Sequence, residues 1–177
     1  TDLQLRTVKH TMNGFSDNPT LNISRSFTFF NPKAGIAYNK NNWSGYLSYA
    51  IARKEPNRDD FQASQLNQPT HETLHDWELG LEQKNNKYSF GVTAYYMKYN
   101  NQLVLTGAIN DVGAYTRTNI PNSYRAGIEI QAAAAVKSWL NMNGNISFSK
   151  NKIKAFTEYI DDYDNGGQLS FEHQNKD

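Results

Sequence analysis

The chain has 177 residues, enough for one domain, and its net charge of +1 gives no basic field of the kind that nucleic acid requires. It contains no cysteine, which excludes a disulfide framework and any thiolate metal site. It has no run of about 18 apolar residues, so a membrane helix is excluded; the mean hydropathy of -0.76 is that of a polar sequence.

Averages mislead when apolar and polar residues alternate, and this chain alternates. From Asp2 to Met12 the pattern is blurred, with Leu3 and Leu5 against Val8 and Met12, and we assign a strand. Asn13 to Pro19 is a loop by its turn residues. A second strand runs from Leu21 to Tyr38 and is expected to break near Asn31-Pro32, because proline cannot donate to a ladder. After a tight turn at Asn39 to Asn42, Trp43, Gly45, Leu47, Tyr49 and Ile51 oppose Ser44, Tyr46, Ser48 and Ala50. Arg53 to Thr73 is long, polar and proline-containing, hence a loop. Leu74 to Gln83 is a strand, Lys84-Asn85-Asn86 a tight turn, and Tyr88 to Leu105 the next strand. A second long polar segment holds Asn110 to Gly113 and Ile120-Pro121-Asn122.

The clearest stretch is Ser123 to Lys150. At every second position it reads Tyr124, Ala126, Ile128, Ile130, Ala132, Ala134 and Val136. It turns at Lys137-Ser138, then repeats with Leu140, Met142, Gly144, Ile146 and Phe148. A period of two places these on one face of a pleated hairpin and Arg125, Glu129, Gln131 and the asparagines on the other. The dry face lacks charge over about ten residues per strand, the length with which a tilted strand crosses hydrocarbon. Asn151 to Gly167 forms a third long segment with an acidic centre, and a last strand begins at Gln168.

Three tight turns alternate with long excursions. In up-and-down order this puts every tight turn at one end of the sheet and every long loop at the other, as in outer-membrane barrels. The fold class expected is all-β, with about eight antiparallel up-and-down strands forming part of a transmembrane β-barrel. A soluble sandwich or lipocalin-like barrel shares the alternation. The charge-free face, with Trp43, Trp77, Tyr88, Tyr124 and Trp139 at its margins, favours the membrane, since such rings suit a boundary between dry and wet.

Catalytic signatures are absent: no nucleophile elbow, phosphate-binding glycine loop or zinc spacing occurs. His71 and His75 have a helical metal spacing, but the second sits in a strand, so surface histidines are expected. Asp161, Asp162 and Asp164 before Gly166-Gly167 miss the spacing of a calcium loop. Glu78, Glu82 and Glu129 are expected to face a wet interior. Neither an enzyme nor a cofactor is indicated.

Five segments resemble TonB-dependent outer-membrane receptors, especially those of the Bacteroidetes type. They are Phe30 to Tyr38 with Trp43 to Ala52; Arg53-Lys54-Glu55-Pro56-Asn57-Arg58-Asp59-Asp60-Phe61; Glu72 to Gly80; Tyr95 to Tyr99 with Gln102 to Gly107; and Asn119 to Glu129. The resemblance implies a barrel of about 22 strands whose lumen holds an N-terminal plug. Residues 1–177 show no plug, no TonB box and no closing strand ending in an aromatic residue, and both ends read as cut. The chain therefore resembles a segment from the second half of such a barrel, about a third of its strands.

By the same resemblance the intact protein lies in the bacterial cell outer membrane. It takes up a scarce solute (a ferric siderophore, haem, a vitamin or a glycan) with energy from the TonB complex acting through the plug. The partners implied are outer-membrane lipid, the plug, the remaining barrel strands, the TonB complex and a small-molecule ligand. The isolated segment, with two bare edges and a greasy face, is expected to self-associate. Candidate solute contacts are Arg53, Glu55, Arg58 and Asp59 in the first loop, Asp111 and Arg117 in the second, and Tyr159, Asp161 and Tyr163 in the third. The Arg53 to Asp60 charges alternatively pair among themselves and brace the loop. A self-contained eight-stranded barrel, serving as a binding module or membrane anchor, is the other reading.

Overall fold

Side chains that alternate with period two can place all their apolar groups on one side only if the backbone is extended and paired on both flanks. The computed structural model, which describes residues 1–16, 18–61, 68–109 and 115–176, has this form. Its strands are β1 (Asp2–Asn13), β2 (Asn22–Lys40), β3 (Trp43–Lys54), β4 (Glu72–Lys84), β5 (Tyr88–Ile109), β6 (Tyr115–Lys137), β7 (Leu140–Asp161) and β8 (Gln168–Lys176). A single helical turn, α1 (Arg58–Phe61), lies between β3 and β4. All eight strands form one sheet in sequence order, each antiparallel to the next, with β1 and β8 at its two edges.

Register turns the alternation into rows. Ile36, Leu47, Leu79, Ala94, Ile128 and Phe148 are paired in succession across β2 to β7. One residue along, the row is Gly35, Ser48, Glu78, Tyr95, Gly127 and Ser149. The first face is greasy and open: Ile36 is 72% exposed, Leu79 58% and Phe148 60%. A contiguous apolar surface of this extent is not stable in water, and hydrocarbon is the solvent it fits.

Tyrosine and tryptophan mark its margins. Toward the long loops, rings of Tyr49, Trp77, Tyr96 and Tyr124 follow one another across β3 to β6 at 5.0, 5.7 and 5.7 Å between centroids. His75 joins this belt, stacked at 5.9 Å on Trp77 and hydrogen-bonded at 2.8 Å to the Tyr49 hydroxyl. Trp43, Tyr88 and Trp139 stand at the turn end, with the Lys137 ammonium 5.5 Å from the Trp139 ring. Along β5, Tyr88 and Tyr96 are about 27 Å apart at the rise of an antiparallel strand.

The turns are short for local reasons. Asn41 takes a left-handed φ of 55° between β2 and β3. The Asn85 side chain accepts the Lys87 and Tyr88 N–H groups at 2.8 and 2.9 Å, closing β4 to β5. At the other end the strands outrun the alternation. β2 does not break at Pro32, β6 passes through Ile120-Pro121-Asn122, and β7 continues to Asp161 instead of ending near Asn151. Both prolines sit where the strand lacks a neighbour on one side. Pairing of β2 with β3 starts at Lys33, and pairing of β6 with β7 ends at Ser123. A missing N–H costs nothing at such a position. Beyond the apolar band both faces meet water, so the period of two fades while the backbone ladder persists.

Two wet-face glycines are closely covered. A Cβ on Gly80 would lie 2.1 Å from the Tyr46 ring, and one on Gly127 would meet the Tyr95 hydroxyl at 2.5 Å and the Phe148 carbonyl oxygen at 2.7 Å. Each tyrosine lies across the bare backbone of its cross-strand partner. Gly144, on the lipid side, has nothing within 4 Å of that position. Gly127→Ala is therefore expected to destabilise the folded protein by about 1–3 kcal/mol, and Gly144→Ala to stay within about 0.5 kcal/mol of the parent. Urea midpoints of the full-length protein in detergent micelles check both.

Candidate functional site

On the wet side at the loop end, β2 switches its investment. Its odd residues Ile23, Phe27 and Phe29 are buried there together with Leu21, Phe15 and Phe61. The segment after β3 turns back to cover them. Asn57 and Asp60 start α1 with a reciprocal capping box: the Asn57 N–H donates to Asp60 Oδ2 at 2.8 Å and the Asp60 N–H to Asn57 Oδ1 at 2.9 Å. This turns Phe61 inward, 5.2 Å from the His10 ring and 6.5 Å from Phe27. Pro56 beside the cap is fully buried.

Charges fix this cover at both ends. Arg6 on β1 grips Glu55 through Nη1 and Nη2 of its guanidinium and lies 5.2 Å over Phe29. Arg117 on β6 donates to Asp60 Oδ1 at 3.0 Å, and that carboxylate is only 5% exposed. Asn119 clips the end of the same connection, accepting the Thr70 N–H at 2.7 Å and donating to the Thr70 carbonyl at 3.0 Å. A short segment can touch β1, β2 and β6 together only from the concave side of a curved sheet. The described residues of the first loop thus form a strap across the wet face.

A second assembly joins the tips of the next two hairpins. β6 and β7 part above Ser123 and Ile153. The gap is a cleft of about 600 Å³ lined by residues that include Gln102, Arg125, Asn151, Phe156, Glu158 and His173. Arg125 lies 5.5 Å over the Tyr99 ring, and His173 contacts Glu158 at 2.6 Å. Above the cleft the ribbons meet again. Gln168 donates to the Gly107 carbonyl and to Asp161 Oδ1, each at 2.7 Å, and the Tyr115 hydroxyl donates to Asp161 Oδ2 at 2.8 Å. Gly107, at φ 83°, is required here, since a Cβ would sit 2.0 Å from the Tyr159 carbonyl oxygen.

The residues singled out from sequence divide accordingly. The Arg53 N–H donates to Asn31 Oδ1 at 3.0 Å and its side chain to the Phe30 carbonyl, while Glu55 and Arg117 hold the strap. Arg58 lies 5.4 Å over Phe15 with its head exposed, and Asp59 is exposed. Tyr159 is half-buried, Asp161 joins the two tips, and Tyr163 is 91% exposed. Asp111 lies outside the described residues. Sequence reading missed Arg6, Asp60, Phe61, Asn119 and Gln168. Only Asp60 had a local signal, the Asn57-x-x-Asp60 cap.

His71 and His75 sit on opposite sides of the sheet. The first packs 5.4 Å from Phe29, where burial and then the Arg53 charge hold its pKa below the ordinary value, and the second is in the aromatic belt. Among the described residues no three His, Asp or Glu side chains gather as a metal site. Asp162 instead accepts the N–H groups of Asp164 and Asn165, each at 3.1 Å, in a closed turn.

Electrostatics make the strap acid-sensitive. Burial opposes the Glu55 charge, but the hydrogen bond from Arg6, the Glu55 N–H and the charges of Arg6 and His10 outweigh it, holding the carboxyl below its ordinary value. Hydrogen bonds from Gln168 and then Tyr115 do the same for Asp161. A depressed carboxyl pKa contributes stability that is present above the unfolded value and lost as pH falls through the folded one. Protection of the Asn57 and Asp60 amides from hydrogen exchange, corrected for the intrinsic rate at each pH, is therefore expected to fall below about pH 4. Asp60→Ala, which removes the cap and strands Arg117, should open the strap already at pH 7, costing about 2 kcal/mol in the protection of Phe61 against chymotryptic cleavage.

The same architecture recurs among known proteins. A TonB-dependent receptor-like β-barrel family model matches residues 4–173. No curated protein matches the sequence. Among solved structures, the FrpB iron transporter from Neisseria meningitidis (F3-3 variant) superposes with a TM-score of 0.65 at 14% identity, over 95% of this chain and 29% of that one. At this identity the likeness concerns the fold, and the chain spans less than a third of that transporter's length. With a family match over nearly its whole length and a wall of lipid-facing rows behind it, the chain belongs to the TonB-dependent receptor-like β-barrel family.

Proposed function

We propose that the chain is one sector of the wall of a bacterial outer-membrane transporter that takes up a scarce solute. Energy arrives from a TonB complex acting on a plug carried elsewhere in the full-length protein. The observation that carries this reading is the open apolar face bounded by aromatic residues and backed by a wet face of Asp76, Glu78, Glu82 and Glu129. Lipid accounts for the first face and a hydrated lumen for the second. Family membership adds the mode of energy coupling. The solved relative is an iron transporter by its name, which puts ferric chelates and haem first among the solutes, ahead of vitamins and glycans.

The strap and the bridged tips supply the recognition surface. Arg58, Asp59 and Tyr163 are exposed at the loop end and are the proposed solute contacts. Arg53, Glu55, Arg117 and Asp161 shape that surface through the bonds described above. A self-contained eight-stranded barrel would need β1 to pair with β8, whereas among the described residues each edge strand pairs on one side only. Remaining strands of the full-length chain are the proposed neighbours at both edges, and without them the sheet is expected to self-associate.

Growth tests this directly. A strain lacking the gene should fail on one solute of a panel of ferric chelates, haem, cobalamin and oligosaccharides, and recover with the intact gene. The Asp60→Ala gene should restore growth only partly. Normal growth of the deletion strain on every solute, with the protein in the soluble fraction, would end this reading.

A further inference from the structure

Beyond the aromatic belt, the lipid side of the wall changes character. On β3 to β7 the residues in register with the apolar rows include Arg53, Lys98, Lys150, Lys152 and Lys154, and further up β7 Glu158, which is held against His173. Lys98 and Lys152 flank Tyr124 directly in register, and Lys150 is paired with Ala126. Lys98, Lys152 and Lys154 line a shallow cavity of about 240 Å³ with Tyr96 and Tyr124. Asp76, Glu78, Glu82 and Glu129 are on the opposite face. Among the described residues that line this cavity, the only charges are those of the three lysines.

We propose that Lys98, Lys152 and Lys154, with the rings of Tyr96 and Tyr124, bind the phosphate-bearing headgroup of an anionic lipid in the leaflet on the loop side. The proposal rests on the wall-sector reading above. Lysine can lay its methylenes along the apolar band and carry its ammonium up to headgroup level, where tyrosine hydroxyls also reside. The cavity continues the dry face on one side and opens among ammonium groups on the other, which matches an acyl chain joined to a phosphate. Each lysine near an anionic surface contributes roughly fivefold in affinity, so the three together contribute about a hundredfold.

The test uses the detergent-solubilised full-length protein, with bound molecules counted by native mass spectrometry. It is titrated with short-chain phosphatidylglycerol, phosphatidylcholine of the same chain length, or inorganic phosphate. Phosphatidylglycerol should bind best, and the triple variant K98Q/K152Q/K154Q should weaken it about a hundredfold. The triple arginine variant should keep it, and both variants should keep the parent's unfolding midpoint. Equal binding of the two lipids would overturn the proposal in favour of an unselective apolar shell. Inorganic phosphate binding as tightly as the lipid would overturn it in favour of a free-anion site. Either result leaves the wall intact, because the protein still carries its detergent belt. A protein that stays monodisperse without detergent overturns both the lipid site and the wall.

Discussion

A backbone in hydrocarbon has no water to satisfy its N–H and C=O groups, so every one of them must find a protein partner. This constraint governs the chain. It forces the strands side by side in sequence order, and a paired sheet then allows only two faces. The row of Ile36, Leu47, Leu79, Ala94, Ile128 and Phe148 is the consequence on one face, and the row through Ser48, Glu78 and Gly127 the consequence on the other. A slip of one residue between any two strands would place carboxylates in lipid and isoleucines in water. Register is therefore held by solvent on both sides at once.

Above the band the constraint is relaxed, and ordinary globular packing takes over. There the wet face of β2 carries phenylalanines, covered by a strap held by Arg6–Glu55 at one end and Arg117–Asp60 at the other. Side-chain amides do comparable work: Asn119 fastens Thr70, and Gln168 ties two hairpins together above a cleft. Burying two ion pairs contributes little net stability, but each fixes where the strap lies, since a stranded partner is costly. The loop end is thereby a shaped surface on a rigid scaffold, the usual arrangement for recognition.

Where solvent imposed a pattern, the sequence was easy to read. Eight strands, three tight turns and the direction of Tyr124 to Phe148 all follow from alternation, because lipid and water sort side chains with period two. Past the belt both faces are wet. The extensions of β5, β6 and β7 then look like polar loops, and Pro32 and Pro121 look like breaks. The strap was read only as a polar loop. Asn57-x-x-Asp60 announces a helical turn, but that Asp60 meets Arg117 across 57 residues depends on the curvature of the sheet, which no local pattern encodes. Arg6 and Gln168 were silent for the same reason.

The central claim is that the two faces of one sheet meet different solvents, and the absence of cysteine from this chain makes it open to a direct measurement. Single cysteines would be placed along β4 to β6 of the full-length protein, with any cysteine outside these 177 residues replaced, at Leu79, Val92 and Ile130 on one face and at Glu78, Thr93 and Glu129 on the other. Each would be exposed in intact membranes to a water-soluble maleimide and to a lipid-borne quencher of a thiol-linked dye. The account predicts strict alternation, with Glu78, Thr93 and Glu129 reached from water and Leu79, Val92 and Ile130 reached from lipid. Equal reaction of both sets with the maleimide, and no quenching of either, would contradict it.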